Sequence, residues 1–284
     1  MKISVVIPVF NEEKDIGDCL NSLLDQTYKH IEIIVVDDAS TDKTLEVLSE
    51  FKIKNSEFKI LKQNHLGAGH ARNLGSKTAK GDILVFVDAD MIFDKLFLDM
   101  LTKPIREGKM IGTFSKEEYV LNRDNVWSKC WNINKDLPIT RMHRADYPNK
   151  QRVFRAIKKD EFIKSGGFEP IGYIDDYTIS EKLGVFAEAA DRAIFYHKNP
   201  DTLQEVFTQA CWIGGSEYKR RKIKNEFLMK LISIIRYSMP PSIINGFYKS
   251  IKYKIPEFIF FKIIYDLGIE TSLIKSFFKD VSAK

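Results

Sequence analysis

Short apolar runs alternate with segments of helical periodicity throughout the first hundred residues. After the first run, Ile16, Leu20, Leu23 and Leu24 recur at helical spacing, and Leu45, Leu48 and Phe51 do so after the second. This alternation is typical of right-handed β-α-β units, so it predicts an α/β fold with a mostly parallel sheet flanked by helices on both faces. The predicted strands cover residues 3–9, 31–36, 58–61 and 83–87.

Acidic residues follow two of these predicted strands. Asp37 and Asp38 end the second, and Asp88 and Asp90 end the fourth. Ligands of open α/β sheets bind at the carboxyl ends of the strands, where a carboxylate needs a hydrogen-bond, charge or metal partner. A lone Asp-x-Asp can also be a helix cap or part of a turn. Acidic residues at two strand ends of one sheet, however, favour a ligand-binding site. The pattern predicts Mg²⁺ or Mn²⁺ bridging carboxylate and diphosphate oxygens, with Asp37 or Asp38 alternatively accepting hydrogen bonds from a base or ribose.

A glycine-rich segment, "GAGHARNLG", occupies residues 67–75 between the third and fourth predicted strands. Glycines allow a backbone to approach a ligand closely, and Arg72 offers a forked donor to a phosphate or to a neighbouring aspartate. Packing of a helix against the sheet would explain the glycines equally well.

Composition sets the size and setting of the fold. A chain of 284 residues with 44% hydrophobic content can bury the core of one large domain, or of one domain with an appendage. Three widely spaced cysteines without a Cys-x-x-Cys pair argue against a zinc or redox site and fit a reducing, cytoplasmic setting. The first apolar run is followed by charged "NEEKD" and no small-residue cleavage site, so we interpret it as a strand and not as a signal peptide.

Four ordered motifs carry a resemblance to a known family. They are "SVVIPVFNEE" at 4–13, "IIVVDDASTDKT" at 33–44, "NHLGAGHARNLG" at 64–75 and "GDILVFVDAD" at 81–90. In this order and spacing they resemble the family 2 glycosyltransferases with the GT-A (Rossmann-like) fold, densely over the first hundred residues and more loosely to about Gly215.

The resemblance implies an inverting transfer from a nucleotide-diphosphate sugar, with UDP as the first guess for the nucleotide, and a Mn²⁺ or Mg²⁺ cofactor. It places Asp38 at the nucleobase, and it assigns binding of the ribose and of the metal to Asp88 and especially Asp90. The other residues that it places at the nucleotide sugar are Pro8, Phe10, Glu12, Arg72 and Ala89.

The segment 152–184 is similar to the family's acceptor-side segment, in which a Gly-Gly-Phe turn precedes an acidic pair. By this similarity Asp176 is the catalytic base and Asp175 orients it; a helix N-terminus that merely favours acidic residues is the alternative. His197 would complete the metal site, as a histidine does in some GT-A enzymes, or it is a structural histidine. Gln209 lacks the arginine that follows it in the Gln-x-x-Arg-Trp signature of processive members, which favours addition of a single sugar.

The C-terminal region differs in charge from the rest of the chain. Residues 219–284 carry 14 Lys and Arg against five Asp and Glu, a net +9, whereas residues 1–218 carry 30 against 34, a net −4. We therefore predict a catalytic domain at 1–218, with a nucleotide-sugar half at 1–100 and an acceptor half at 101–218, followed by a basic amphipathic helical tail at 219–284.

The tail contains no uncharged run of the roughly 18 residues that a membrane span needs. Contact with an anionic membrane at its cytoplasmic face, packing on the catalytic domain and formation of a homodimer stay open. A membrane position would suit a lipid-linked or other glycan acceptor in the assembly of cell-surface polysaccharide or glycoconjugate. Nucleic acid is disfavoured because no recognised binding module accompanies the charge.

Two other function classes compete with an active glycosyltransferase. A non-catalytic relative that binds nucleotide sugar or membrane is expected to lose a metal or base carboxylate, and both Asp90 and Asp176 are present. Sugar-phosphate nucleotidyltransferases share the sheet type but open with a glycine-rich loop near the N-terminus, where this chain has "PVFNEE".

Overall fold

The computed structural model describes residues 1–54, 57–169, 175–217 and 226–282. The chain divides into two compact units, one of Met1–Tyr119 with Ala145–His197 and one of Val120–Arg144 with Lys198–Lys284. The predicted division near Tyr218 falls outside the described residues and stays a prediction.

The first unit contains the predicted alternation of strands and helices. Its described elements, in chain order, are β1 (Ile3–Val9), α1 (Ile16–Leu24), β2 (Ile31–Asp37), α2 (Thr44–Lys54), β3 (Phe58–Lys62), α3 (Ala68–Thr78), β4 (Ile83–Phe86), β5 (Met91–Phe93), α4 (Phe97–Arg106), β6 (Gly112–Phe114), β7 (Glu118–Val120), β8 (Lys150–Gln151), β9 (Ala156–Lys158), α6 (Lys159–Ser165), a 3₁₀ turn (Asp175–Tyr177), α7 (Thr178–Leu183), β10 (Ala187–Ala189) and β11 (Phe195–His197).

The main sheet has eight strands in the order β3-β2-β1-β4-β9-β6-β10-β8. The four strands from β3 to β4 are parallel, β9 runs antiparallel to both of its neighbours, β10 is parallel to β6, and β8 closes the edge antiparallel. This arrangement confirms the predicted α/β fold with a mostly parallel sheet.

Each face of this sheet buries its own apolar core, because successive strand side chains point to opposite faces. On β1, Val5 and Ile7 join a core with residues of α1 and α4, whereas Val6 joins a core with residues of α3 and α6. The predicted placement of helices on both faces is therefore confirmed.

A second sheet of three strands, in the order β5-β11-β7, is a feature that the sequence did not predict. The apolar residues after Asp90 form β5, which pairs antiparallel with β11 so that Met91 lies opposite His197. This register brings a residue near the end of the first unit next to the Asp-x-Asp segment.

The second unit is helical in its described part. It contains α5 (Val126–Asn134), α8 (Leu203–Glu217), α9 (Glu226–Tyr237), α10 (Met239–Tyr253) and α11 (Phe258–Ser282). Trp131 packs in its core with Phe261 and Tyr265. A Cβ atom added to Gly268 of α11 would lie 2.7 Å from the Cβ of Ala210, so glycine permits the close approach of α11 to α8. Over the described ranges, no helix combines the length and apolar character required to cross a membrane.

The three cysteines are all free thiols, and Cys19 and Cys130 are buried. Burial raises the pKa of Cys130 to about 12, which keeps this thiol protonated and unreactive at neutral pH.

Candidate active site

Arg72 links the end of β4 to the 3₁₀ turn. Its Nη2 donates to Oδ1 of Asp88 and its Nη1 donates to Oδ1 of Asp176, each over 2.8 Å. Arg72 projects from α3, and its side chain is only 9% exposed. Burial opposes the positive charge, but Asp176 and Asp88 outweigh it and raise the pKa of Arg72 above its usual value. The glycine-rich segment thus supplies a buried cation between two of the predicted site carboxylates.

Asp88 is held by a second arginine, which sequence reasoning missed. Arg155 Nη1 lies 3.4 Å from Oδ2 of Asp88 and also donates to the carbonyl of Phe86. Burial disfavours the Asp88 charge, but Arg72 and then Arg155 lower the pKa of this carboxyl to about 2. Each of its two oxygens therefore faces one arginine, and its predicted role as a metal ligand stays a prediction.

Asp90 and His197 meet across the second sheet. His197 Nε2 lies 2.9 Å from Oδ2 of Asp90, and His197 Nδ1 lies 2.7 Å from Oε1 of Glu118. Burial opposes an imidazolium charge, but the Asp90 and Glu118 carboxylates outweigh it and raise the pKa of His197 well above its usual value. Glu118 lies on β7, is 7% exposed, and was not predicted because nothing in its local sequence distinguishes it.

The donor atoms of Asp90 and His197 decide whether a divalent cation fits at this place. No group of three or more His, Cys, Asp or Glu side chains is arranged as a complete metal cage within the part of the chain that the structure describes. Asp90 and His197 nevertheless offer one oxygen and one nitrogen, and Glu118 binds the other ring nitrogen, as the outer carboxylate of a metal-binding histidine does. Two protein ligands suit Mg²⁺ or Mn²⁺ when substrate phosphates supply further oxygens, so the residues fit the ion.

Glu12 lies in the electrostatic field of these carboxylates. Its backbone N–H donates to Oγ1 of Thr44 over 2.8 Å, which fixes the loop after β1. Burial, followed by repulsion from Asp90 and Asp15, raises the pKa of Glu12 to about 8. A bound cation would relieve this repulsion, because opposite charge favours the ionised carboxylate.

The carboxylate of Asp38 organises the loop that leads into α3. Its two oxygens accept hydrogen bonds from the Leu66 and Gly67 N–H groups at 2.8 and 2.9 Å and from Gln63 Nε2 at 2.6 Å, and His65 Nδ1 lies 3.0 Å away. A carboxylate has about four acceptor positions, so these four partners use its capacity. The predicted contact between Asp38 and a nucleobase would require one of these partners to move and stays a prediction.

An aromatic pair lies beside Asp38. The rings of Phe10 and His65 have centroids 4.2 Å apart at 33°, and Phe10 is 40% exposed. Pro8 is half-buried in β1, opposite Val36 of β2. Phe10 and His65 therefore present a partly exposed ring surface on which a planar base can stack. His65 was not predicted as a site residue, although it lies within the third motif.

The acidic pair opens the 3₁₀ turn that leads into α7. Asp175 is 5% exposed, and its carbonyl accepts a hydrogen bond from Thr178 Oγ1. The Asp176 side chain is 36% exposed and bound by Arg72. Asp176 is thus the accessible member of the pair. Ala89, between the two strand-end aspartates, is 3% exposed and offers mainly its backbone.

The sequence of the chain is similar to known proteins. Residues 4–167 match the family model described as glycosyl transferase family 2. Over 106 residues the chain is 39% identical to glycosyltransferase GlyG of Streptococcus pneumoniae. This alignment covers 37% of this chain and 35% of that protein. Over 98 residues it is 41% identical to poly(ribitol-phosphate) beta-N-acetylglucosaminyltransferase TarS of Staphylococcus aureus. This alignment covers 34% of this chain and 17% of that protein. The matches thus span about a third or less of these curated relatives.

Solved structures with the same fold cover most of the chain. Residues 1–349 of S. aureus TarS in complex with UDP-GlcNAc superpose with a TM-score of 0.58 at 17% identity, over 97% of this chain and 92% of that one. The mannosyltransferase PcManGT from Pyrobaculum calidifontis, in complex with GDP-Man and Mn²⁺, gives a TM-score of 0.61 at 17% identity. This superposition covers 96% of this chain and 87% of that one. These likenesses confirm the predicted GT-A fold.

Proposed function

The chain belongs to glycosyl transferase family 2, and on this premise we propose that it is a metal-dependent, inverting glycosyltransferase. It moves a single sugar from a nucleotide-diphosphate donor to an acceptor hydroxyl or phosphate. The observation that carries this proposal is the double hydrogen bond of Arg72, which joins the strand-end carboxylate Asp88 to the accessible acid Asp176. One buried cation thereby links the proposed donor side to the proposed acceptor side.

The donor binds along the carboxyl ends of β1, β2 and β4. Phe10 and His65 stack against the base, and the Asp38-bound loop shapes the wall beside them. The bound ligands of the two fold relatives, UDP-GlcNAc in TarS and GDP-Man in PcManGT, support a nucleotide sugar as the donor class. A UDP-sugar, of hexosyl type, is our first choice for the nucleotide and sugar.

Asp90 and His197 would hold Mn²⁺ or Mg²⁺ in this proposal, and Glu118 fixes the histidine ring. When bound, the ion would stabilise the negative charge that grows on the departing nucleoside diphosphate. Asp88 does not need to ligate the ion, because Arg72 and Arg155 already compensate its charge.

Asp176 acts as the general base. It takes the proton from the acceptor hydroxyl while that oxygen forms a bond to the anomeric carbon. The bond from this carbon to the diphosphate breaks on the opposite side, its electron pair leaves with the nucleoside diphosphate, and the configuration inverts. Arg72 orients Asp176, and Asp175 supports the turn that carries it.

The acceptor is a glycan or a lipid-linked glycan at the cytoplasmic face of the membrane, in the assembly of a cell-surface polysaccharide or glycoconjugate. The sequence similarity to the poly(ribitol-phosphate) enzyme TarS supports a polymeric, phosphate-containing acceptor class. The absence of the signature arginine after Gln209 supports the addition of one sugar and not of a polymer.

The test is calorimetric binding of UDP-, GDP- and dTDP-sugars with Mn²⁺ and again with EDTA, followed by assay of transfer. We expect one nucleotide class to bind tightly only with Mn²⁺. Asp90→Asn should abolish metal-dependent binding and transfer, whereas Asp18→Asn, an exposed aspartate on α1, should change neither. Folded protein that binds no donor would refute the proposal, and binding without transfer would point to a non-catalytic relative.

A further inference from the structure

Helix α10 presents its largest apolar side chains to solvent. Ile244 is 71% exposed, Ile251 is 65% exposed and Phe247 is 58% exposed. Ile243 and Tyr248 are exposed beside them. These five residues, called here the outer face of α10, recur at the spacing of one helical stripe and line an open groove of about 540 Å³ together with Lys252.

The side of α10 that packs inward consists of small residues. Ser242, Gly246 and Ser250 follow one another at intervals of four, and all three are buried. Ser242 donates to Oδ2 of Asp266 over 2.6 Å, and a Cβ atom on Gly246 would lie 3.2 Å from the Cα of Ile259. The α10 backbone therefore packs closely against α11.

This distribution is the reverse of the usual one for a helix surrounded by water. A water-exposed helix buries its apolar stripe and exposes its polar residues. By contrast, α10 buries Ser242, Gly246 and Ser250 and exposes isoleucine, phenylalanine and tyrosine side chains. Small residues at intervals of four are the surface by which helices pack together when their other faces contact lipid. Exposed apolar surface of this kind marks an interaction site.

The charged residues of α10 and its flanks, at 232–256, have one sign. Residues 232–256 contain no Asp or Glu and four basic residues. Lys249 is engaged with Asp136 and the carbonyl of Ile133, whereas Arg236, Lys252 and Lys254 are exposed. An apolar face on a helix that carries and adjoins exposed cations matches an anionic surface with an apolar interior.

We propose that the outer face of α10, together with Lys252 of its groove and the exposed Arg236 and Lys254 that flank α10 in the sequence, docks onto the surface of an anionic lipid bilayer. The apolar side chains enter the interface between headgroups and acyl chains, and the basic groups contact lipid phosphates. Self-association through the same face would bring these cations of two copies together, and residues 232–256 contain no acidic residue to balance them, so lipid is the favoured occupant. This inference goes beyond the proposed glycosyl transfer and does not depend on donor binding.

The test measures binding of the full chain to phosphatidylcholine vesicles with and without phosphatidylglycerol. We expect binding to the anionic vesicles that weakens as salt rises. Phe247→Glu should weaken it by about tenfold or more, because a carboxylate enters the apolar face. Lys252→Glu combined with Lys254→Glu should weaken binding to anionic vesicles and reduce its salt dependence. Ile163→Glu, on an equally exposed apolar residue of α6, is the matched control and should bind as the wild type does.

Circular dichroism and UDP-sugar calorimetry on each variant separate a folding defect, or a failure of the proposed donor site, from a loss of lipid binding. Wild-type protein that stays off anionic vesicles would overturn the inference, as would full binding by folded Phe247→Glu. A dimer that Phe247→Glu dissociates, in protein that does not bind vesicles, would assign the face to a second copy instead.

Discussion

Arg72 Nη1 donates to Oδ1 of Asp176 over 2.8 Å, across 104 positions of sequence. The same guanidinium holds Asp88 through its other terminal nitrogen, so neither carboxylate can move without changing the environment of the other. Arg72 Nε is buried and has no hydrogen-bond partner in the described part of the chain. Arg72 is therefore the residue through which a change at the donor side would reach the proposed base.

Replacement of Arg72 by lysine tests this link. A lysine keeps the charge but cannot donate to Asp88 and Asp176 through a rigid fork. We expect Arg72→Lys to lower kcat by about 10- to 100-fold, because the proposed base loses its orientation. Steady-state kinetics with the donor found by calorimetry would measure this, with exposed Lys77→Arg on the same helix as control. A kcat equal to that of the wild type would show that the fork does not serve transfer.

Asp176→Asn separates binding from proton transfer. The amide keeps the shape and size of the side chain but cannot accept the acceptor proton, so donor affinity should stay near the wild-type value while transfer to a hydroxyl falls by about 10²- to 10⁴-fold. Calorimetry and product formation measured on the same preparation check both parts. Asp160→Asn, an exposed acid of α6, is the control. A mild loss of transfer would indicate an acceptor that is already ionised, such as a lipid phosphate.

Glu118→Gln tests the carboxylate behind His197. Glutamine can still accept a hydrogen bond from Nδ1 but carries no negative charge, so His197 would be a weaker ligand for the proposed metal. We expect Mn²⁺ affinity to fall by about 10- to 100-fold, as for other outer carboxylates. Electron paramagnetic resonance of free Mn²⁺ measures this without any donor or acceptor. Glu117→Gln, the neighbouring residue, should leave the affinity unchanged, and equal affinity in the two variants would remove Glu118 from this role.

The raised pKa of Glu12 predicts that the free energy of unfolding depends on pH when divalent cations are absent. Its folded-state pKa is raised to about 8, above the ordinary value of 4.5. The folded state therefore binds this proton more tightly than the unfolded state does, and its contribution to the free energy of unfolding is lost as pH rises from about 4.5 through 8.

Urea unfolding in EDTA between pH 5 and pH 9 would test the Glu12 effect. Glu12→Gln should lose less stability than the wild type across this range, and Mn²⁺ should reduce the difference. Glu13→Gln, at an exposed neighbouring position, should follow the wild-type curve. Identical pH profiles for Glu12→Gln and the wild type would contradict the assignment.

The early strands and helices were predictable because their signals are local. The apolar run at 3–9 is β1, the run at 31–36 is all but the last residue of β2, and helical spacing from Ile16 marks the first residue of α1. The positions of the strand-end aspartates on the chain follow from the same runs. Their partners do not, since Arg155 contacts Asp88 from 67 residues away.

Other features depended on contacts that no local pattern records. The strand β5 is only three residues long and exists through pairing with β11, which alone explains why His197 meets Asp90. On α10, helical periodicity identifies an apolar stripe, but periodicity would place that stripe inside the protein, whereas tertiary packing turned the small residues inward.

By itself, then, the sequence determined the α/β alternation, the family resemblance and the acidic strand ends, because apolar periodicity and ordered motifs are properties of neighbouring residues. Tertiary structure alone decided which charges compensate one another: Arg72 and Arg155 with Asp88, and Glu118 with His197. The reason is physical, since the energy of a buried charge depends on the groups within a few ångströms of it, and the fold draws those groups from distant parts of the chain.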